Sequence, residues 1–138
     1  MNKYVFDACA LIAYYADEEG ADLVQDIIGK AYFEESQILI SKINLLEVFY
    51  DMYKSQGEIE AKNFLQDITN TPIKIIETIE KPVFFEAGRL KSSYRISLAD
   101  SIFLAEILVN NDCIGVTADH HELDIVKSRE KVNLLWIR

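Results

Sequence analysis

Short apolar runs rich in β-branched and aromatic residues alternate along this chain with longer stretches whose apolar positions recur at helical spacing. The short runs predict strands over residues 3–7, 37–40, 73–77, 113–117 and 132–137. The longer stretches predict helices over 8–16, 21–33, 41–53 (with Ser41 as N-cap), 58–68, 81–94, 98–110 and 121–129. Pro72 stands just ahead of the third strand, and Pro82 falls in the first turn of a helix, where its missing N–H is not needed. Continuous apolar strands separated by helices indicate a parallel sheet covered on both faces, joined by right-handed crossovers. The expected fold class is α/β: a three-layer α/β/α sandwich around a central parallel sheet of four to five strands. No repeat, linker or low-complexity segment divides residues 1–138, so a single domain is expected.

Four acids break this pattern. Asp7 follows Tyr4-Val5-Phe6, Glu47 sits in the run from Asn44 to Phe49, Asp100 sits between Leu98 and Ile102, and Asp119 follows Val116-Thr117-Ala118. Acids are seldom buried unless paired or metal-bound. Four of them converging on one cleft need a cation, and such a set of hard oxygen ligands suits Mg²⁺ or Mn²⁺. Asp7 and Asp119 fall at or just past the carboxyl ends of predicted strands, where open parallel sheets bind ligands. Glu47 lies on the inward stripe of its helix, and Asp100 shares a face with Phe103, Leu104 and Ile107. Plainer roles exist for each alone: Asp119 as a helix cap, Asp100 in a capping box with Ser97, Asp7 as a turn former. Glu47 has no capping role to play. The weight rests on the four together.

Half of the 138 residues are apolar, which excludes wholesale disorder. The longest apolar stretch, 102–109, is interrupted by Glu106 and is too short to span a bilayer. No secretory leader pattern opens the chain, so a cytoplasmic protein with no membrane association is expected. Cys9 and Cys113 match no zinc motif and are expected to be buried free thiols. The net charge of −9 by itself argues against a nucleic-acid partner, but divalent ions on four carboxylates would offset much of it. Arg89, Lys91 and Arg95 precede Asp100, and Lys127, Arg129 and Lys131 follow Asp119. These read as solvated helix faces. His120 and His121 are adjacent, so on a helix they point about 100° apart and do not share an ion. Glu122 and Asp124 fit a helix first turn by dipole alone, with Glu122 also near enough to meet a metal-bound water. The chain has no phosphate-binding loop, no dinucleotide fingerprint and no nucleophile elbow. A phosphatase needing a second Asp two positions after the first finds Cys9 there.

The segments that hold the acids resemble those of the PIN-domain nucleases, most closely the VapC-type toxins of toxin–antitoxin pairs. Residues 4–12 are similar to the family's opening strand with its first Asp, 43–48 to the helix that carries its Glu, 96–101 to the segment of its third acid, and 117–123 to its last motif. The resemblance spans essentially the whole chain. It implies a metal-dependent ribonuclease in which Asp7, Glu47, Asp100 and Asp119 are catalytic and hold Mg²⁺ or Mn²⁺, with Asp7 and Asp100 as direct ligands. Thr117, Cys9, Asn44 and Ser101 are the implied supporting residues. Family members usually carry Ser, Thr or Asn where this chain has Cys9. The implied partners are an RNA substrate, a cognate antitoxin and a second copy in a homodimer. The aromatic pairs Tyr14-Tyr15 and Tyr32-Phe33, with Phe49, Tyr50 and Tyr53, are expected to pack in the core, the alternative being a groove or dimer face. Two other readings are a PIN-like interaction module without catalysis and a DNA nuclease with the same metal chemistry.

Overall fold

A computed structural model describes residues 1–110 and 112–138. Among them the chain runs β1 (Asn2–Phe6), α1 (Ala8–Tyr15), α2 (Ala21–Tyr32), β2 (Ser36–Ser41), α3 (Lys42–Gln56), α4 (Glu58–Thr69), β3 (Ile73–Ile76), α5 (Lys81–Ser93), α6 (Leu98–Val109), β4 (Cys113–Thr117), α7 (His120–Arg129) and β5 (Leu134–Trp136). The strands form one sheet in the order β3-β2-β1-β4-β5, every pairing parallel. The chain first builds leftward from β1 and then crosses over to β4. That leaves a switch point between the carboxyl ends of β1 and β4.

Neighbouring strand residues feed opposite layers, as a pleat requires. Phe6 packs with Leu11, Val24, Val48 and Phe64 on the side of α1–α4. Val5 packs with Leu90, Phe103, Leu104 and Leu123 on the side of α5–α7. The result is the expected three-layer α/β/α arrangement. α6 is buried continuously from Ala99 to Ile107, so its apolar run has no wet face at all. Gly115 in β4 makes room for it: a Cβ there would stand 2.9 Å from Phe103 Cζ and 2.8 Å from Leu134 Cδ2, and would also collide with Ile107 Cδ1.

All the predicted elements are present, with ends that move by a few residues. α3 outlasts its predicted end at residue 53 because no breaker intervenes before Gly57, whose φ of 95° ends the helix while its N–H returns to the Tyr53 carbonyl at 3.0 Å. The aromatic expectation holds only in part. Tyr14 and Tyr15 pack against the core, Tyr15 edge-on to Phe64. Tyr32, Phe33, Tyr50 and Tyr53 are exposed instead. Tyr32 and Phe33 lie at the solvent end of α2, and Tyr50, though exposed, is at the rim of the acidic cleft rather than in the core. No helix among the described residues is long and apolar enough to cross a membrane.

Candidate active site

Beyond the ends of β1 and β4 opens a cleft of about 250 Å³ lined by Asp7, Cys9, Glu47, Asp100, Asp119 and Glu122 among others. All four predicted acids therefore face one space, delivered by four different elements.

Asp7 is the N-cap of α1, its Oδ1 accepting the Ala10 N–H at 2.9 Å. Its Oδ2 accepts the Thr117 hydroxyl at 2.5 Å, and that same hydroxyl oxygen accepts the Asp119 N–H at 3.1 Å. Thr117, fully buried at the end of β4, thus clamps the first acid to the backbone of the last. Asp119 caps α7, accepting the Glu122 N–H at 3.3 Å. The capping role weighed from sequence is real, and it leaves the carboxylate facing the cleft. Asn44, buried in the first turn of α3, takes the Ser41 hydroxyl on Oδ1 at 2.6 Å. Its Nδ2 donates to the Ala99 carbonyl at 3.4 Å and, at 3.5 Å, to Glu47 Oε1. Asn44 therefore ties α3 to α6 and steers Glu47.

Asp100 is at the third position of α6, with its N–H donating to Ser97 Oγ at 3.0 Å. The reciprocal half of that capping box is missing. Glu122, at the start of α7, comes close enough to the Asp100 carboxyl to share a proton with it. Asp100, Asp119 and Glu122 bring ligand oxygens within 4.8 Å of one another. From sequence Glu122 fits the helix dipole, with reach to a metal-bound water, but is not among the four expected ligands. Its signal was the spacing Asp119-x-x-Glu122, which puts both carboxylates on one side of a helix start. Ser101 is not brought to the cleft. It points roughly 100° around the helix from Asp100, and its hydroxyl donates to the Leu98 carbonyl at 2.6 Å.

Crowding and burial hold protons on this cluster. Burial pushes Asp100 up to about 9, reinforced by its hydrogen bond to Glu122 and the charges of Glu122, Asp119 and Asp7. Glu122 moves the other way because Asp100 donates to it. Burial also lifts Asp7 to about 7, against the opposing pull of its Thr117 and Ala10 bonds. Glu47 is raised by partial burial and by Glu122 and Asp119. Cys9 corrects an expectation: it is half-buried in the cleft rather than sealed in the core, whereas Cys113 is buried. α1 turns position 9 toward the acids. Burial, then Asp7, Asp119, Asp100 and Glu47, push its thiol up to about 12, so it stays protonated. His120 takes no part: it stacks on Trp136 at 4.0 Å and bonds the Arg138 carbonyl at 2.9 Å, fastening α7 to the last residues.

The donor set of Asp100, Asp119 and Glu122, with Asp7 and Glu47 around it, consists of hard carboxylate oxygens. It fits a small divalent cation, which would relieve the mutual repulsion that protons now relieve.

The family model described as PIN domain matches residues 4–129. No curated protein matches the sequence. Among solved structures, a toxin–antitoxin complex from Klebsiella pneumoniae is similar with a TM-score of 0.69 at 18% identity, over 98% of each chain. DNA-bound VapBC from Salmonella typhimurium is similar with a TM-score of 0.75 at 12% identity, over 100% of each. A VapC toxin from Mycobacterium tuberculosis, described as cleaving the sarcin-ricin loop, gives 0.65 at 11% identity over 87% of this chain and 92% of that one. At such identities the likeness is one of fold.

Proposed function

This chain belongs to the PIN-domain family, and from that premise we propose that it is a divalent-metal-dependent endoribonuclease and the toxin of a toxin–antitoxin pair. The observation that supports this reading most is the meeting of Asp7, Glu47, Asp100 and Asp119, joined by Glu122, in one cleft at the sheet's switch point.

In this reading Asp100, Asp119 and Glu122 hold the ion, with Asp7 and Glu47 completing the shell directly or through water. A bound Mg²⁺ or Mn²⁺ supplies neutralisation of phosphate charge and a lowered pKa for water. The chain's own residues do the rest. Asp100 releases its proton when the ion binds, because a cation reverses the crowding that held it. Thr117 and the Ala10 amide keep the Asp7 carboxylate in one orientation. Glu47, steered by Asn44 and Tyr50, is the wall carboxylate placed to take up a proton from the attacking water. With the Cys9 thiol held protonated and water rather than the substrate's 2′-OH as the attacking group, the 3′-oxygen would be the leaving group and the products would carry a 5′-phosphate and a 3′-hydroxyl. An antitoxin silences the site by offering a basic group to these carboxylates, a role in keeping with the toxin–antitoxin complexes among the similar folds.

The test is incubation of the protein with single-stranded RNA, hairpin RNA and single-stranded DNA, with Mg²⁺, Mn²⁺ or EDTA. RNA is expected to be cut with either ion and spared in EDTA. Cutting of DNA alone would favour the DNA-nuclease reading, and no cutting of any substrate would favour the interaction module that Cys9 hints at.

Self-association is assigned to the apolar strip beside the cleft, where Leu46, Ile79, Phe84 and Leu98 are exposed. With Ile43 they line adjoining hollows over α3, α5 and α6. A patch of this kind on a monomer marks a contact surface. Sedimentation is expected to give twice the chain mass of 15.8 kDa, and Leu46→Glu with Phe84→Glu is expected to return the monomer. A wild-type protein that sediments as a monomer at about 100 μM, well above the Kd of a standard interface, would exclude the dimer.

A further inference from the structure

Between β3, the connection that follows it and the ends of α5 and α6 lies a cavity of about 600 Å³ that shares no lining residue with the acidic cleft. Leu39, Ile76, Val83 and Val109 give it apolar walls, and it has three carboxylates: Glu106, Glu80 and Glu77, the last paired with Lys42 at 2.7 Å. Glu106 is 5% exposed, in the middle of the otherwise apolar α6. Its Oε2 accepts from Asn110 Nδ2 at 3.2 Å. Its Oε1 has no hydrogen-bond partner among the described residues, and no Lys, Arg or His among them pairs with either oxygen. Lys74 stands exposed at the mouth and makes no ion pair among the described residues. Glu106 Oε1 is not sealed: it opens to the cavity, so the carboxylate keeps one face accessible to a ligand while the rest of the side chain is buried. Burial lifts its pKa, Glu80 lifts it further, and Asn110 opposes them only in part.

The second observation is independent of this acid. β3 ends the sheet and pairs with β2 only. The other edge of residues 74–76 makes no backbone hydrogen bond among the described residues. Register places Lys74 beside Leu39, so Lys74 and Ile76 point to the cavity side of the sheet. A strand laid along this edge would send alternate side chains over the same cavity. Its depth and apolar walls suit a methylene stem, and its carboxylates suit a cationic head.

We propose that this cavity and the free edge of β3 together form a docking site for an extended segment of a partner protein, which pairs with β3 and inserts an arginine or lysine side chain against Glu106. Strand addition supplies the affinity and the buried acid supplies the choice of side chain.

The probe is an acetylated heptapeptide, Thr-Val-Thr-Arg-Thr-Val-Thr, titrated into the ¹⁵N-labelled full chain, alongside the same peptide with citrulline for arginine. Amide shifts are expected at Lys74, Ile75 and Ile76, with the arginine peptide binding at least about tenfold more tightly than the neutral one. Glu106→Gln is expected to erase that preference, and Asp100→Asn to leave it intact. Glu80→Gln, on the exposed rim, is expected to halve the preference or more, and it serves if Glu106→Gln does not fold. Equal binding of the two peptides, or no binding at millimolar peptide, would overturn the proposal. Loss of binding in Asp100→Asn would put the peptide in the acidic cleft instead. Concentration-dependent shifts of the 74–76 amides without peptide would mean that a second copy covers the edge; either result also overturns it.

Discussion

Asp100→Asn is expected to lower RNA cleavage on the order of a thousand-fold while making the metal-free protein more stable at neutral pH. The two effects share one cause. Asp100 is pushed up to about 9 by burial and by its acidic neighbours. At pH 7 the folded chain must therefore hold a proton on it that the unfolded chain would release, and that opposes folding. The amide needs no such proton and still donates to Glu122, so the variant gains about 2 kcal/mol in denaturant unfolding without metal. In return it loses a charged ligand from the group formed with Asp119 and Glu122. Wild type is expected to gain several degrees of Tm in millimolar Mn²⁺, and the variant little or none. Wild-type cleavage by Asp100→Asn would remove the site from the reaction.

The second expected result is a metal-free stability that declines as pH rises through neutrality. Asp7 moves from 3.8 to about 7, and Asp100 from 3.8 to about 9. For an acid raised on folding, the native state binds more protons than the unfolded state between the two pKa values. Stability is therefore fullest below about 4 and falls up to about 7 for Asp7 and up to about 9 for Asp100. Asp7 alone contributes a fall of about 4 kcal/mol over its window. Glu122 has the opposite sign, since its pKa is lowered, and its contribution is lost only below its ordinary 4.5, outside the range. Urea midpoints from pH 5 to 9 are expected to slope downward for wild type and to flatten in the Asp7→Asn/Asp100→Asn double variant. Asn serves as an N-cap about as well as Asp, so the cap on α1 survives the change. Saturating Mn²⁺ is expected to flatten wild type as well. Parallel slopes for both proteins without metal would show that these two groups do not carry the effect.

Much of the site was legible because its residues violate a local rule. Asp7 and Glu47 have weak alternative roles, so their placement in apolar runs pointed to a ligand. Asp119 and Asp100 each have a capping explanation, and both turn out to sit at helix starts while also facing the cleft. Local logic does not choose between a cap and a cleft-facing acid: the Asp119 carboxylate is both, and Asp100 faces the cleft while Ser97 does the capping. Glu122 was harder still: its spacing from Asp119 puts it near a metal-bound water, but the helix dipole alone satisfies an acid in a first turn, so its reach to Asp100 on α6 shows only in the fold. Ser101 shows the opposite error, since closeness in sequence to Asp100 placed it near a site that its helix turns it away from. Glu106 looked like a mere interruption of an apolar run, and its burial became visible only once α6 was covered on every side.

The periodicity of apolar positions by itself determined the order of elements, the parallel α/β class and four of the acids that line the cleft, because side-chain direction along a strand or helix follows from local backbone geometry. Only the tertiary structure decided which oxygens meet. The Thr117–Asp7 bond joins residues 110 positions apart, and the Glu122–Asp100 bond joins two helices. Proton affinity in the cleft depends on how much water the assembled layers exclude and on which charges they force together. Those quantities belong to the packed molecule and to no single stretch of the chain.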